Sequence, residues 1–512
     1  MVFKKQLKIF GKSLLSSNHF LYATLRKVAS GFLCLLELCL QPTNQRLYRV
    51  AMIYRAVFTF SPDRIATQIS PEFNDLKHHL IIAARAFFEI AFARGELLRP
   101  CHFFKKITDF WPDSFVPWKL LHYCYYYTQS WGELDKINGL YETIRAEILK
   151  ATGIEGYDVI LGDHVTGSIG HSQIFFFFKI QEWPGSRKLP KIGILPSTRD
   201  RMSIFYKAIL PDLLMDEVVM VESSQNQPDL RNFIQDSFPF TLTKKYFDFF
   251  DGKGRAKFLG DWAASGSDSF AINPTQSKLL NQFLNRVGLK VNDWYVVLHV
   301  RQTADSQIRN CDIENYYGAI EAVTSHGGWI FRIGDADMAP LSKDLKNVVD
   351  MPFSLVDKPP FIDLYLLSTA RFVIGTCSGP CDIPFFFNVP RLITNWPFMS
   401  ELFGAADDLC IPVSYYDNLS GQMVSLNEQL SSSNYDSEPW IRSQKNIVPI
   451  MNSSEEISCG AIQMIELTSS NSTRKCFTPP AINSLSRSYE GKFWFLGSIT
   501  KLFLRNHPNY LG

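Results

Sequence analysis

The sequence has little net charge, no long apolar run and no closely paired cysteines. Its 52 Lys+Arg against 50 Asp+Glu leave a formal charge of +2 over 512 residues, so nothing global points to nucleic acid or to an anionic membrane surface. The most apolar early stretch, Gly31 to Leu40, is interrupted by Glu37 and falls short of the ~20 residues that a membrane span needs. We expect no nucleic-acid partner and at most peripheral contact with a membrane.

The ten cysteines are scattered without a CxxC pair, and the first residues show no cleavable signal pattern. Both features favour a reducing, cytoplasmic location. Cys377 and Cys381 are the closest pair inside a motif, but no histidine cluster offers the other ligands of a tetrahedral zinc site. We therefore expect buried thiols, no metal site and no bound cofactor.

A chain of 512 residues is too long for one hydrophobic core, and we expect several domains. Over residues 1–150 the apolar positions recur at helical spacing, which predicts an all-helical leader. Pro-Asp follows an aromatic run at Arg55 to Asp63 and again at Lys106 to Ser114. This pattern is typical of the end of a tetratricopeptide (TPR) repeat, although an irregular helical bundle explains it equally well. The leader is a candidate surface for a protein partner.

After residue 150, short β-type runs alternate with helical stretches, which is typical of parallel βαβ units. We predict a first Rossmann-like half over residues 151–275, with strands in the runs that start at Tyr157, Lys191 and Val218. The polar stretch from Gly252 to Pro274 reads as part of the connection that closes this half.

The second half, residues 276–445, is the more regular, with strands predicted in the runs that start at Tyr295, Gly328, Asn347, Arg371 and Arg391. We expect loops in the Ser/Asn-rich stretch from Tyr415 to Ser437. Residues 446–512 are expected to form a tail with a closing helix near the end. The fold class that results is α/β, a pair of Rossmann-type domains preceded by a TPR-like helical region.

Ligands of open parallel sheets bind at the carboxyl ends of the strands, and two loops of this kind stand out first. In GDHVTGSIGH, Gly167 and Gly170 allow a tight turn into a helix, although close packing of a strand on its helix explains such glycines as well. In LHVRQ, His299 and Arg301 lie two apart and share a face of the strand. Arginine suits a diphosphate because its planar fork makes bidentate bonds and keeps its charge. A structural salt bridge is the alternative.

Two further loops follow later strands. In FRIGDADM, Arg332, Gly334 and Asp335 lie where a strand gives way to a loop, and the Asp-x-Asp pattern that ends at Asp337 favours a turn over a cation site. In IGTCSGPCDIP, a glycine- and hydroxyl-rich turn precedes a helix that Pro380 begins. Amide groups, the helix dipole and hydroxyls would together hold a phosphate there, on Gly375, Thr376, Ser378 and Gly379.

From about Asp293 to Pro397 the chain resembles a family of bacterial glycosyltransferases. The resemblance lies in the stretches HVRQ, RNCDIENYYGAI, GGWIFRIGDADMAPL, ARFVIGTCSGPCDIP and NVPRLITNWP. The GSIGH stretch resembles the first loop of that family, and SRSYEGKFWFLGSITKLFLRNHPNYL resembles its C-terminal end. The His-x-Arg element is also similar to that of fucosyltransferases that use GDP-fucose, and SGPCDIP is similar to the phosphate loop of heptosyltransferases.

The resemblance implies a GT-B fold, a nucleotide-sugar donor, a glycan or other hydroxyl acceptor, and metal-independent transfer with inversion. It places Arg301 on the donor diphosphate together with the Gly375 to Gly379 loop, and His299 in support. It also places Arg309 and Asp312 in the lining of the cleft. The catalytic base would come from the first half, where His171 and Asp163 are the candidates, although His171 is equally explained by packing at a helix start.

Two other functions fit the same architecture. A nucleotide-sugar epimerase of the non-hydrolysing type would need more acid and base residues in both halves than the sequence offers. A non-catalytic adaptor would bind a partner through the helical leader, and its signature would be loss of Arg301 or of the glycine-rich loop, both of which are present.

Overall fold

The computed structural model describes residues 45–69, 76–112, 115–151, 159–161, 192–194, 218–220, 252–265, 270–303, 308–359, 361–432, 435, 441, 444–469 and 493–511. The described residues fall into two compact units, one before residue 221 and one from residue 252 onward. No helix in these ranges combines the length and the apolar character that crossing a membrane requires.

In the first unit, the helical region predicted over residues 1–150 is confirmed from residue 45 onward, and residues 1–44 lie outside the described residues. Its helices are α1 (Gln45–Thr59), α2 (Pro62–Ala66), α3 (Lys77–Arg94), α4 (Cys101–Phe110), α5 (Phe115–Tyr127) and α6 (Trp131–Ala151). Helix α3 packs against both α1 and α5, and α4 packs against α2 and α5. The shared core is rich in aromatic side chains, among them Phe60, Phe87, Phe103, Phe104 and Trp118. In the first Pro-Asp pair, Pro62 begins helix α2 instead of following the end of a repeat.

Three parallel strands belong to the same unit and lie where the sequence predicts them. They are β1 (Val159–Leu161), β2 (Ile192–Ile194) and β3 (Val218–Met220), in the order β1-β2-β3. Val159 pairs with Ile192, which pairs in turn with Val218. Parallel neighbours of this kind require a crossover connection between successive strands.

The second unit is built on a parallel sheet of seven strands in the order β15-β10-β8-β7-β4-β5-β6. These strands are β4 (Tyr295–His299), β5 (Trp329–Arg332), β6 (Val348–Asp350), β7 (Phe372–Gly375), β8 (Arg391–Trp396), β10 (Leu409–Pro412) and β15 (Ser498–Ile499). Every residue of β4, β7 and β8 is buried, as expected for parallel strands covered on both faces. The chain is therefore an α/β protein with a mostly parallel central sheet and a helical N-terminal region.

Helices cover this sheet in two layers. They are α7 (Gly252–Ala264), α8 (Pro274–Arg286), α9 (Tyr317–Ser325), α10 (Ile362–Thr369), α11 (Gly379–Phe386), α12 (Leu426–Ser431), α13 (Ser454–Leu467) and α14 (Lys501–Asn506). Helix α9 packs against α13, whereas α10 packs against α8 and α11. Close approach of α13 to the sheet depends on Gly460, because a Cβ there would lie 3.1 Å from Leu392 and from Ile411. Three short 3-10 helices, Ile313–Tyr316, Met351–Phe353 and Met399–Glu401, lie between these elements.

Small strands complete the unit, and two of them correct an expectation. Strands β11 (Ser414–Asp417), β12 (Gln422–Met423) and β13 (Ile447–Ile450) form an antiparallel sheet, and β9 (Phe403–Gly404) pairs with β14 (Trp494–Phe495). The stretch from Tyr415 to Ser437 was expected to be loop, but β11, β12 and α12 lie in it. A capping box on Ser425, whose hydroxyl accepts from Glu428, starts α12 in this polar sequence.

The Gly252 to Pro274 connection likewise contains helix α7. Its apolar residues Ala256 and Leu259 are fully buried, so tertiary packing outweighs the low helix propensity of its glycines.

A buried ion pair fixes the amino end of β8. Arg391 is 1% exposed and its Nη2 donates to Asp408 Oδ2 at 2.7 Å. The same guanidinium donates to the carbonyls of Cys381 and Phe403. All described cysteines are free thiols, and all except Cys459 are buried, as the sequence leads us to expect.

Candidate functional site

The strand order of the seven-stranded sheet contains a topological switch point between β4 and β7. From β4 the chain first builds outward through β5 and β6, then returns to the other side of β4 and continues through β7, β8 and β10. This is the 3-2-1-4-5-6 order of doubly wound nucleotide-binding sheets. Right-handed crossovers in opposite directions leave a crevice outside the carboxyl ends of the two strands at the switch. The loops after β4 and β7 line that crevice.

Backbone hydrogen bonds hold these two loops together. The Arg301 N–H donates to the Thr376 hydroxyl at 3.0 Å, and the Thr376 N–H donates to the His299 carbonyl at 3.2 Å. The Arg301 carbonyl in turn accepts from the Cys311 N–H at 3.0 Å. The start of the Arg301 side chain is therefore fixed relative to the β7 loop by two bonds and relative to the Cys311 segment by a third. Thr376 is fully buried, so its hydroxyl positions Arg301 and is turned away from solvent.

The loop after β7 leads directly into helix α11. Gly375 is required for packing, because a Cβ there would lie 2.7 Å from the sulfur of Cys381 in the helix. Ser378 is the extended N-cap residue and its side chain makes no cap hydrogen bond. Pro380 offers no N–H, and the Cys381 N–H already donates to the Ser378 carbonyl at 2.9 Å. Gly379 and the Ser378 hydroxyl therefore remain as the donors that this turn can direct at a ligand.

Two arginines bring positive charge to the same loop. Burial raises the pKa of the Cys377 thiol to about 12, while the charges of Arg309 and Arg301 act in the opposite direction. Both guanidinium groups therefore lie within electrostatic range of the loop. Two carboxylates, Asp382 and Glu401, also act on this thiol. The sequence predicts Arg301 and Arg309 near one site, and the charges of both reach the Cys377 thiol in this loop.

His299 ends β4 at the bottom of the crevice. It is 5% exposed, and its Nδ1 lies 3.3 Å from the Ile333 carbonyl. Burial lowers the pKa of His299 to about 4, so the imidazole is neutral at pH 7. A neutral ring that donates from Nδ1 leaves Nε2 as an acceptor. That Nε2 is buried and has no hydrogen-bond partner among the residues that the structure describes.

Other residues predicted to line the cleft have structural contacts. Arg332 is 1% exposed and donates to Asp350 at 3.1 Å and to the Ala339 carbonyl at 2.8 Å. Gly334 has a φ of +156°, and a Cβ there would collide with Met338. Asp312 is exposed and caps the Ile313–Tyr316 turn by accepting from the Glu314 N–H at 3.1 Å. These contacts give each of the three residues a structural role, while the buried Nε of Arg332 has no hydrogen-bond partner among the described residues.

The structure reveals a carboxylate at the site that the sequence analysis did not single out. Asp363 lies in the first turn of α10, after β6. Burial raises the pKa of Asp363 to about 6; the charge of Lys358 opposes this shift, and the charge of Asp335 contributes to it. The sequence FIDLYLL looks like an ordinary amphipathic helix start, so only the packing of α10 reveals this acid.

A buried hydrogen-bond network supports the β7 loop from the side of β8. The Thr394 hydroxyl donates to the Gly375 carbonyl at 3.2 Å and lies 2.7 Å from the Tyr316 hydroxyl. The Asn395 side chain donates to the same Tyr316 oxygen and accepts from the Asn452 N–H at 2.7 Å. These residues were also missed, because a polar network between distant segments has no local sequence signal.

The predicted residues of the first half, His171, Asp163, Gly167 and Gly170, lie outside the described residues. Within the described ranges no three His, Cys, Asp or Glu side chains assemble as metal ligands.

The described site thus lies at the switch point of a doubly wound sheet, with Arg301, Arg309 and the Gly375–Gly379 loop on the side of β4 and β7 and with Asp335 and Asp363 on the side of β5 and β6. Comparison with protein-family models, with curated proteins and with solved structures finds no match for this chain.

Proposed function

We propose that this chain is a GT-B glycosyltransferase that transfers a sugar from a nucleotide-sugar donor to a hydroxyl of a glycan or other acceptor. The donor diphosphate lies at the carboxyl ends of β4 and β7. The reaction is metal-independent, and the single displacement inverts the anomeric carbon.

One observation carries the proposal. The Gly375–Gly379 loop is hydrogen-bonded to Arg301 at the switch point of a sheet with the nucleotide-binding strand order; the charges of Arg309 and Arg301, together with those of Asp382 and Glu401, reach its Cys377 thiol. Two guanidinium groups beside a turn with free donors fit a diphosphate, which needs several charge-assisted hydrogen bonds. Positioning of Arg301 by Thr376 supports this, because a fixed donor stabilises developing charge without reorganisation.

In the proposed reaction an acceptor oxygen forms a bond to the anomeric carbon while the bond from that carbon to the donor diphosphate breaks. The diphosphate keeps the electron pair, and the charge that develops on its oxygens is stabilised by Arg301 and Arg309. The acceptor proton passes to a base, for which His171 and Asp163 are the candidates from the sequence. His299 supports Arg301 from below as a neutral residue and carries no proton in this scheme.

The proposal is tested by a thermal-shift screen of the purified protein against UDP, GDP, ADP and CMP. A ligand at about 100 times its Kd adds about 2.7 kcal/mol of stability. We expect one nucleotide to raise the melting temperature of the wild type and of a control variant, Arg286→Ala, which removes a surface arginine paired with Asp357 at 3.5 Å. The shift is expected to vanish in Arg301→Ala and to be smaller in Arg301→Lys, which keeps the charge but loses the fork.

The ligand-free melting temperature and the circular dichroism of each variant show whether it is folded. Absence of a shift from every nucleotide in the wild type would refute the donor site and favour the adaptor function. An unchanged shift in Arg301→Ala would place the nucleotide elsewhere.

A further inference from the structure

The β5 and β6 side of the crevice carries two carboxylates that the fold does not use. Asp335 follows β5 and is exposed, and Asp363 is half-buried at the start of α10. Neither side chain accepts a hydrogen bond from any residue that the structure describes. The neighbouring acids differ in this respect, because Asp350 binds Arg332 and Asp357 binds Arg286.

Asp363 lies where the fold makes its charge unfavourable. The side chain keeps some contact with solvent, yet burial, with a smaller contribution from the charge of Asp335, raises the pKa of its carboxyl to about 6 against the opposing charge of Lys358. A partly desolvated carboxyl that accepts no hydrogen bond from the described residues destabilises the protein at neutral pH. Uncompensated groups of this kind are concentrated at sites that bind or transform a ligand.

His299 supplies a second and independent indication of a ligand. Its Nδ1 is held at the Ile333 carbonyl, two residues before Asp335, and its Nε2 is a buried acceptor without a partner in the described part of the chain. The charge of Asp335 reaches this ring. Unsatisfied buried acceptors are rare in folded proteins and need an explanation. Here the free acceptor lies at the same end of β4 and β5 as the two free carboxylates.

The three groups together offer acceptors and need a ligand that brings donors. Hydroxyl groups of a sugar ring match that requirement, whereas a phosphate does not, because it would meet two like charges. In a doubly wound sheet an acidic residue after the second strand is placed to bind ribose hydroxyls, since the phosphates lie at the switch point. In this sheet β4 is the first strand of that order, β5 the second, and Asp335 follows β5.

We propose that Asp335 and Asp363, with His299 beneath them, bind the ribose diol of the donor nucleotide and so select ribonucleotides over 2′-deoxyribonucleotides. This inference rests on the proposed function, because it needs the diphosphate at Arg301. It assigns a role to Asp363 and defines the sugar of the nucleotide, neither of which the diphosphate site determines.

The test is a binding titration by calorimetry with matched pairs of nucleotides: UDP and dUDP, GDP and dGDP, ADP and dADP, CMP and dCMP. In the wild type we expect the ribonucleotide that binds to do so at least about tenfold more tightly than its deoxy counterpart, the effect of one charged hydrogen bond. The preference is expected to shrink to within about threefold in Asp335→Asn and in Asp363→Asn. Asp337→Asn, at an exposed carboxylate two residues from Asp335, is the matched control and keeps the full preference.

The outcomes separate the two proposals. Equal affinity for both members of a pair in the wild type overturns the ribose site and leaves the diphosphate site standing. A preference that persists in both Asp335→Asn and Asp363→Asn also overturns it. If no nucleotide binds, the proposed function falls, and the ribose site falls with it.

Discussion

The backbone N–H of Arg301 donates a hydrogen bond of 3.0 Å to the hydroxyl of Thr376, 75 residues further along the chain. The bond joins the carboxyl ends of β4 and β7 across the switch point. It determines where the Arg301 side chain leaves the backbone, and it uses a hydroxyl that no solvent molecule reaches, since Thr376 is fully buried.

Replacing Thr376 by valine removes this acceptor without changing the size of the side chain. We expect Thr376→Val to lose about 1–3 kcal/mol of unfolding free energy, because the Arg301 N–H is left unpaired. Thr376→Ser keeps the hydroxyl and should lose less. Urea denaturation measures both. The control is Thr324→Val on helix α9, where the hydroxyl bonds back to the Ile320 and Glu321 carbonyls of the same helix; an equal loss in both valine variants would contradict the linking role of Thr376.

The packing of Gly375 against Cys381 leads to a second prediction. A methyl group at Gly375 would lie 2.7 Å from the Cys381 sulfur and 2.9 Å from its Cβ, so α11 or β7 must shift. We expect Gly375→Ala to destabilise the protein by about 1–3 kcal/mol. Gly139→Ala in helix α6 is the control, because a Cβ there meets nothing within 4 Å, and it should stabilise by about 0.5–1 kcal/mol.

Thermal or urea unfolding of both glycine variants decides the matter. Equal stability of Gly375→Ala and the wild type would show that the turn tolerates a side chain, and that Gly375 serves the approach of a ligand and not the packing of the helix.

Much of the second sheet could be predicted from the sequence. The runs at Tyr295 and Arg371 are short, apolar and rich in β-branched residues, and each precedes a turn, so β4 and β7 were predicted together with the residues that follow them. Strand β15, at Ser498, was not predicted. It contains only two residues, and its place is set by pairing with β10 and not by its own composition.

The same distinction applies to the site. Arg301 was proposed because a charged residue that directly follows a strand stands out in the sequence, whereas Arg309 was proposed through the family resemblance alone. Arg332 follows a strand in the same way, yet it binds Asp350, 18 residues away. Asp363 was missed because its distinguishing property is its surroundings, which only the packing of α10 determines. Local pattern thus predicts where a site lies, and long-range contacts decide which partners its residues bind.

The buried His299 makes the unfolding free energy of the protein depend on pH. Burial lowers its pKa from 6.5 to about 4 in the folded state, so the unfolded chain takes up a proton first as the pH falls. The contribution of the neutral imidazole to the unfolding free energy is complete above pH 6.5. It is lost between about pH 6.5 and 4, which lowers the unfolding free energy by up to about 3 kcal/mol. His299→Gln should lose less stability over this range than the wild type. Urea unfolding at pH 7.5, 5.5 and 4.5 measures the difference, with His326→Gln at an exposed histidine as control; parallel curves for all three proteins would exclude a buried neutral His299.

The pKa of Asp363 is shifted in the opposite direction from that of His299, so its effect on stability depends on pH in the opposite way. Its pKa is raised from 3.8 to about 6 in the folded protein, so folding favours the protonated acid, and the stability this gives is complete below pH 3.8 and lost as the pH rises through 6. Asp363→Asn, which is neutral at every pH, should therefore be more stable than the wild type at pH 8, by up to about 3 kcal/mol, and should lose that advantage towards pH 4. Denaturation of both proteins at the two pH values measures this, with Asp357→Asn, whose side chain is 91% exposed, as the control.

A gain at pH 8 together with a loss of ribonucleotide preference would show that this carboxyl costs stability and serves binding. A variant no more stable than the wild type at pH 8 would mean that Asp363 is better solvated than its position in the crevice indicates.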